Sequence, residues 1–207
     1  MGAMGWAARR WQHWLPVLLP AATAWWLLGR GGDLGSTAGL FALHLPIYLA
    51  HQWEEHLWPG GFRQFVNRFV FRSGEADFPA SRGGVAVVNI GLVWLPIGLA
   101  AVSPAALRWV GLAWVGTSLV NALTHLAAAL RLRRYNPGLA TALALVMPFS
   151  AWFFASRLAS GELTAREVAL AVALGVALHV PIAALFVVPW LRRGRAERAG
   201  LSPGGPG

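Results

Sequence analysis

An all-α integral membrane protein, a bundle of six transmembrane helices, is predicted by three observations. Of the 207 residues 57% are hydrophobic and only 12% charged; mean hydropathy is +0.53; and the apolar residues gather into six stretches near the roughly 20 residues that cross a bilayer. One soluble core cannot hide that much apolar side chain.

The first stretch, 14–29, tolerates Pro16 and Pro20 near its entry and follows Arg9 and Arg10, as the apolar part of a secretory signal would. No small-residue cleavage site precedes the polar Arg30-Gly31-Gly32-Asp33 turn, so it reads as a retained span. The second stretch runs over 36–58. In 62–72 apolar residues recur at Phe62, Phe65, Val66, Phe69 and Val70 with polar ones opposite, the pattern of an amphipathic helix lying on the membrane surface. Three further spans follow at 84–102, 105–130 and 138–155, the last opened by Pro137-Gly138, where proline fixes the turn. The sixth covers 168–191. Residues 1–191 thus read as one transmembrane domain without internal repeats, and 192–207, basic and then rich in Gly and Pro, as a disordered tail.

All seventeen basic residues are Arg, and no Cys is present. Schiff-base lysines, thiolate nucleophiles and Cys-ligated metals are thereby excluded. The net charge of +9 would point to nucleic acid in a soluble protein, but here topology accounts for it. With both termini inside, the inner segments hold Arg9, Arg10, Arg63, Arg68, Arg72, Arg82, Arg131, Arg133, Arg134, Arg192, Arg193, Arg195 and Arg198, while only Arg30, Arg108, Arg157 and Arg166 lie outside. That asymmetry is the positive-inside pattern of a bacterial cytoplasmic membrane protein, and anionic lipid replaces nucleic acid as the partner. Trp6, Trp11, Trp14, Trp58 and Trp190 fall near span ends, as an aromatic belt would.

Ionisable groups inside a membrane are costly and tend to face a bundle interior or a water-filled cavity. The second span carries His44, His51, Glu54, Glu55 and His56, the third Asn89, the fourth Asn121 and His125, and the sixth His179. At about 100° per residue, with His51 as zero, His44 falls near +20°, Glu55 near +40°, Tyr48 near +60° and Glu54 near −60°. His56 falls near +140°, away from the set, and reads as interfacial. Asn121 and His125, four apart, share a face. The predicted topology brings His51, Glu54, Glu55, Asn89 and His125 into the inner half of the bilayer, with His44 and His179 roughly 10 Å deeper.

Imidazoles with carboxylates suit a borderline divalent cation, zinc first, with iron and manganese open. The expected ligands are His51, His125, His179 and one of Glu54 and Glu55, the other Glu serving as general base. His44, Tyr48, Asn89 and Asn121 would orient ligands or substrate. Metal-activated water acting on a lipophilic small molecule, which enters laterally past the 62–72 helix, is the leading expectation. A metal-free acid/base isomerase or cyclase and a proton-coupled transporter are the alternatives. The spacing is neither H-E-x-x-H nor H-x-x-E-H, so no protease mechanism transfers.

His51-Gln52-Trp53-Glu54-Glu55 matches the H-x-x-E-E signature and resembles the HXXEE family of small bacterial multi-span membrane proteins. Asn121-Ala122-Leu123-Thr124-His125 resembles that family's N-x-x-x-H element, and Tyr135-Asn136-Pro137-Gly138 its Y-x-P-G turn. The resemblance implies a site at these residues; it names no reaction.

Overall fold

Each apolar stretch becomes a helix, and the polar signals between them set where the helices begin. The structure, a computed structural model, describes residues 10–199, and among these it is all-helical. Helix α1 (11–29) joins the tight turn Trp11–Trp14, the regular stretch Leu15–Ala24 and the wide turn Trp25–Gly29. It is followed by α2 (Thr37–His56), the short α3 (62–70), α4 (Arg82–Val102), α5 (Arg108–Leu132), α6 (Leu139–Ala159) and α7 (Ala165–Arg198). Ser36, Ser81 and Thr164 start α2, α4 and α7 by accepting from the backbone N–H of Gly39, Gly84 and Glu167. Glu167 returns the bond to Thr164 and closes a capping box.

Among the described residues four helices, α4 to α7, are long and apolar enough to cross a membrane. Helix α2 falls short in composition because its C-terminal half spends His51, Gln52, Glu54 and Glu55 on buried polar positions. It packs against α1, α4, α5 and α6, which cover those groups. Leu40 and Phe41 of α2 meet Leu112 and Val115 of α5 and Phe149 and Phe153 of α6 in the main apolar core.

Two devices fix the helix packing. Helix α5 meets α7 where Gly116 lies against Ala171 and Gly175: a Cβ on Gly116 would stand 2.3 Å from the Ala171 carbonyl oxygen. Only small residues allow backbones so close. In α4, Pro96 lacks the N–H that would reach the Leu92 carbonyl, and the helix widens over Val87–Trp94 just before it. The freed Leu92 carbonyl accepts instead from Trp114 Nε1 of α5 at 2.9 Å, so the defect becomes a link between helices.

At the end of the bundle remote from the His/Glu set, buried Arg157 donates to the Gly35 carbonyl at 2.5 Å and to Glu162 at 2.7 Å. Arg108 donates to Glu167 at 2.8 Å and to the Glu162 carbonyl at 3.0 Å. These bonds tie three loops together. At the other end α7 does not stop at Leu191: residues 192–198, assigned by composition to the tail, are helical. Arg193 holds this extension by pairing with Glu75 and Glu197 and lying over the Phe78 ring. The remainder of the expected tail, 200–207, and the residues before 10, with Trp6 and Arg9, lie outside the described residues.

Candidate metal centre

One turn of α2 carries His51 and Glu55, and the facing turn of α5 carries Asn121 and His125, so the i, i+4 spacing aims both pairs at one point. Glu55 Oε1 lies 3.7 Å from His51 Nε2 and 3.1 Å from His125 Nε2. All three side chains are buried, and one donor atom from each lies within 4.8 Å of the others. That is a spacing from which a single cation can be gripped.

The remaining hydrogen bonds decide which nitrogens carry protons. Asn136 Nδ2 donates to the His125 carbonyl at 3.0 Å, which turns its Oδ1 toward His125 Nδ1 at 2.6 Å. An amide oxygen only accepts, so Nδ1 carries a proton, and Nε2 is the nitrogen turned to the Glu55 carboxylate, 3.1 Å away. The Thr141 hydroxyl donates to Glu54 Oε2, leaving its oxygen to accept from His51 Nδ1 at 2.9 Å. His51 Nε2 therefore keeps its lone pair, which accepts from Asn121 Nδ2 at 3.1 Å, a bond that a cation held there would replace. Two imidazole Nε2 atoms and one carboxylate oxygen converge, each imidazole held from behind through Nδ1, the arrangement by which outer partners fix metal-ligating histidines.

Gly138 makes the convergence possible. Its φ is +98°, and a Cβ there would stand 2.6 Å from His125 Cε1, 2.8 Å from Glu55 Cγ and 2.9 Å from His51 Cε1. The turn before α6 thus lies directly against all three side chains, a closer role than opening a helix.

Glu54, expected as ligand or base, is committed elsewhere. Its carboxylate accepts from Tyr135 Oη at 2.5 Å, Ala140 N at 3.0 Å, Thr141 N at 2.6 Å and the Thr141 hydroxyl. It sits on the N-terminus of α6, where orphan N–H groups and the helix dipole favour an anion. Burial and the carboxylate it serves hold the Tyr135 phenol above its ordinary value, so it stays a donor. By helix angle alone Glu54 falls with His51 and Glu55 on one face; the partners that draw it away lie on other elements.

His179, also expected as a ligand, is not brought into the group: its Nδ1 donates to the Gly175 carbonyl of its own helix at 2.8 Å. It does line a cavity of about 190 Å³ that Glu55, Tyr48 and Asn121 also border. His44 lies a level away, bonded to Ser118 Oγ at 2.8 Å and stacked on Phe149. Tyr48 packs its ring edge-on to His51, 5.6 Å between centroids. Asn89 Nδ2 stands 3.3 Å from His56 Nε2 while its Oδ1 accepts from Gln52 Nε2, and Gln52 Oε1 in turn accepts from Trp94 Nε1. His56, read as interfacial, is instead turned against Glu55, with Nε2 3.4 Å from Oε2. Tyr135, Asn136, Thr141 and Gln52 were missed; only Tyr135 and Asn136 carried a signal, lying in the Y-x-P-G turn.

The profile of a family described as protein of unknown function with HXXEE motif matches residues 42–153, more than half of the chain. That segment contains every residue of the His51, Glu55, His125 group and its supports. No curated protein and no solved structure matches.

Proposed function

We propose, for a chain that belongs to the HXXEE-motif family, that it is a membrane-embedded metal-dependent enzyme acting on a lipophilic small molecule. The observation that carries this reading is the convergence of His51 Nε2, Glu55 Oε1 and His125 Nε2, each imidazole oriented from its far side, at the wall of an apolar cavity. Two imidazoles and one carboxylate with a position left open is the donor set of catalytic zinc sites. A cation held there would polarise a substrate carbonyl or make bound water nucleophilic near neutral pH.

The chain's own groups divide the remaining work. With Glu54 committed to α6, the proton-handling carboxylate is Glu55, whose second oxygen faces His56. Tyr48, Asn121 and His179 border the cavity that would hold the substrate. Six membrane spans, with α1 packed on α2 and α2 covered by α1, α4, α5 and α6, and α3 on the cytoplasmic surface, complete the proposal. Both termini would then face the cytoplasm and the site would lie in the inner leaflet of a bacterial cytoplasmic membrane.

The test is elemental analysis of protein purified in mild detergent without chelators, beside a His51→Ala, Glu55→Ala double variant. One equivalent of zinc, iron or manganese in the wild type and none in the variant is the expected result. Absence of metal after attempted reconstitution would overturn the reading and leave the His125–Glu55 pair as a metal-free acid/base.

A further inference from the structure

Two cavities of opposite character lie at the candidate centre's end of the bundle, one bordered by Glu55 and the other by the adjacent His56. The apolar one, about 190 Å³, has Val88, Val93, Ile182 and Phe186 among its walls. The second, about 260 Å³, is polar: Gln64, Arg63, Arg82 and His56 line it, and no carboxylate does among the described residues. Phe62 and Val85 border both, and the adjacent residues Glu55 and His56 lie one on each side. The two spaces thus share the Phe62 and Val85 wall, and the Glu55 carboxylate of the proposed centre borders the apolar one.

The polar cavity carries surplus positive charge. Arg63 is bonded to Asp77 and to the Ala76 carbonyl, and Arg82 Nε stands 3.6 Å from the same Asp77 carboxylate. One carboxylate therefore serves two guanidinium groups. Burial, and behind it the neighbouring Arg82, press the Arg63 guanidinium below its ordinary value. Guanidinium groups at the polar end of a cleft recognise planar or tetrahedral oxyanions.

We propose that the site takes a single-chain amphiphile with an anionic head: the head in the polar cavity against Arg63 and Arg82, the chain in the apolar cavity, and the waist at Phe62 and Val85 beside Glu55. This deepens the catalytic reading, on which it rests for what happens to the ligand but not for its binding. It narrows "lipophilic" to a molecule with one charged end and places its reacting bond near the head.

The probe is dodecyl phosphate, titrated into protein in a neutral maltoside detergent beside dodecanol and inorganic phosphate. Dodecyl phosphate is expected to bind roughly ten- to hundredfold more tightly than dodecanol. Arg63→Gln and Arg82→Gln should each remove most of that preference. Because Arg63 also anchors the loop at Ala76, the half-exposed Arg82 is the decisive variant. Asp77→Asn should strengthen binding, and Ile182→Trp should weaken dodecyl phosphate while leaving inorganic phosphate unchanged. Equal binding of dodecyl phosphate and dodecanol, or of dodecyl phosphate and inorganic phosphate, would overturn the proposal. Metal content measured on the same samples separates the two readings: head selectivity without metal sinks the catalytic one alone, and metal without head selectivity sinks this one alone.

Discussion

Gly138 is pressed from two sides, by a backbone conformation that L side chains resist and by the side chains of His51, Glu55 and His125, which a Cβ there would meet at 2.9 Å or closer. Gly138→Ala should cost about 1 to 3 kcal/mol and displace His51, Glu55 and His125 together. Thermal unfolding in detergent and metal content are expected to fall in parallel; unchanged metal would mean that the cation is held elsewhere. The two glutamates separate by the same pair of measurements. Glu54→Gln replaces an acceptor of four bonds with a group that is half donor, so stability should drop by about 1 to 3 kcal/mol while metal content holds. Asn136→Ala should do the reverse, lowering metal affinity about 10- to 100-fold, and Asn136→Asp, which keeps the acceptor for His125 Nδ1, should recover most of it.

Among the elements, α2 is the one whose composition and environment disagree most. Its polar half would be a poor span on its own, and it is tolerable only because α5 and the N-terminus of α6 supply partners to His51, Glu54 and Glu55. The helix pair α5 and α7 shows the opposite economy, with contact made by absence of side chain. Gly175→Leu should destabilise by about 1 to 3 kcal/mol or more, since a Cβ there already stands 2.4 Å from the Gly116 carbonyl carbon. Gly98→Leu, where nothing lies within 4 Å, should be near neutral apart from helix propensity. Thermal unfolding of the two variants side by side checks the crossing, and equal losses would refute it.

For the whole molecule the orientation in the membrane is the testable quantity. The native chain has no Cys, so single cysteines report without background. Gly74→Cys, exposed in the loop between α3 and α4, should be labelled by an impermeant maleimide only from the cytoplasmic side. Ser160→Cys, exposed in the loop between α6 and α7, should be labelled only from the other side. Labelling of both from one side would refute the proposed topology. The bundle itself is organised end to end, with the Arg157, Glu162 and Arg108 network closing one end and the His/Glu group with its two cavities occupying the other.

Helix content, the approximate limits of the helices apart from the C-terminal end of α7, and the pairing of His51 with Glu55 and of Asn121 with His125 were legible in the sequence. Apolar runs and i, i+4 spacing are local properties that survive without knowledge of neighbours. Which of two adjacent glutamates meets the imidazoles, and that His179 bonds its own helix while Asn136 and Thr141 reach the site, depended on how α2, α5 and the turn at Gly138 approach one another. Those choices are set by close packing between segments far apart in the chain: a hydrogen bond across 86 residues, from Ala140 to Glu54, leaves no periodicity to read.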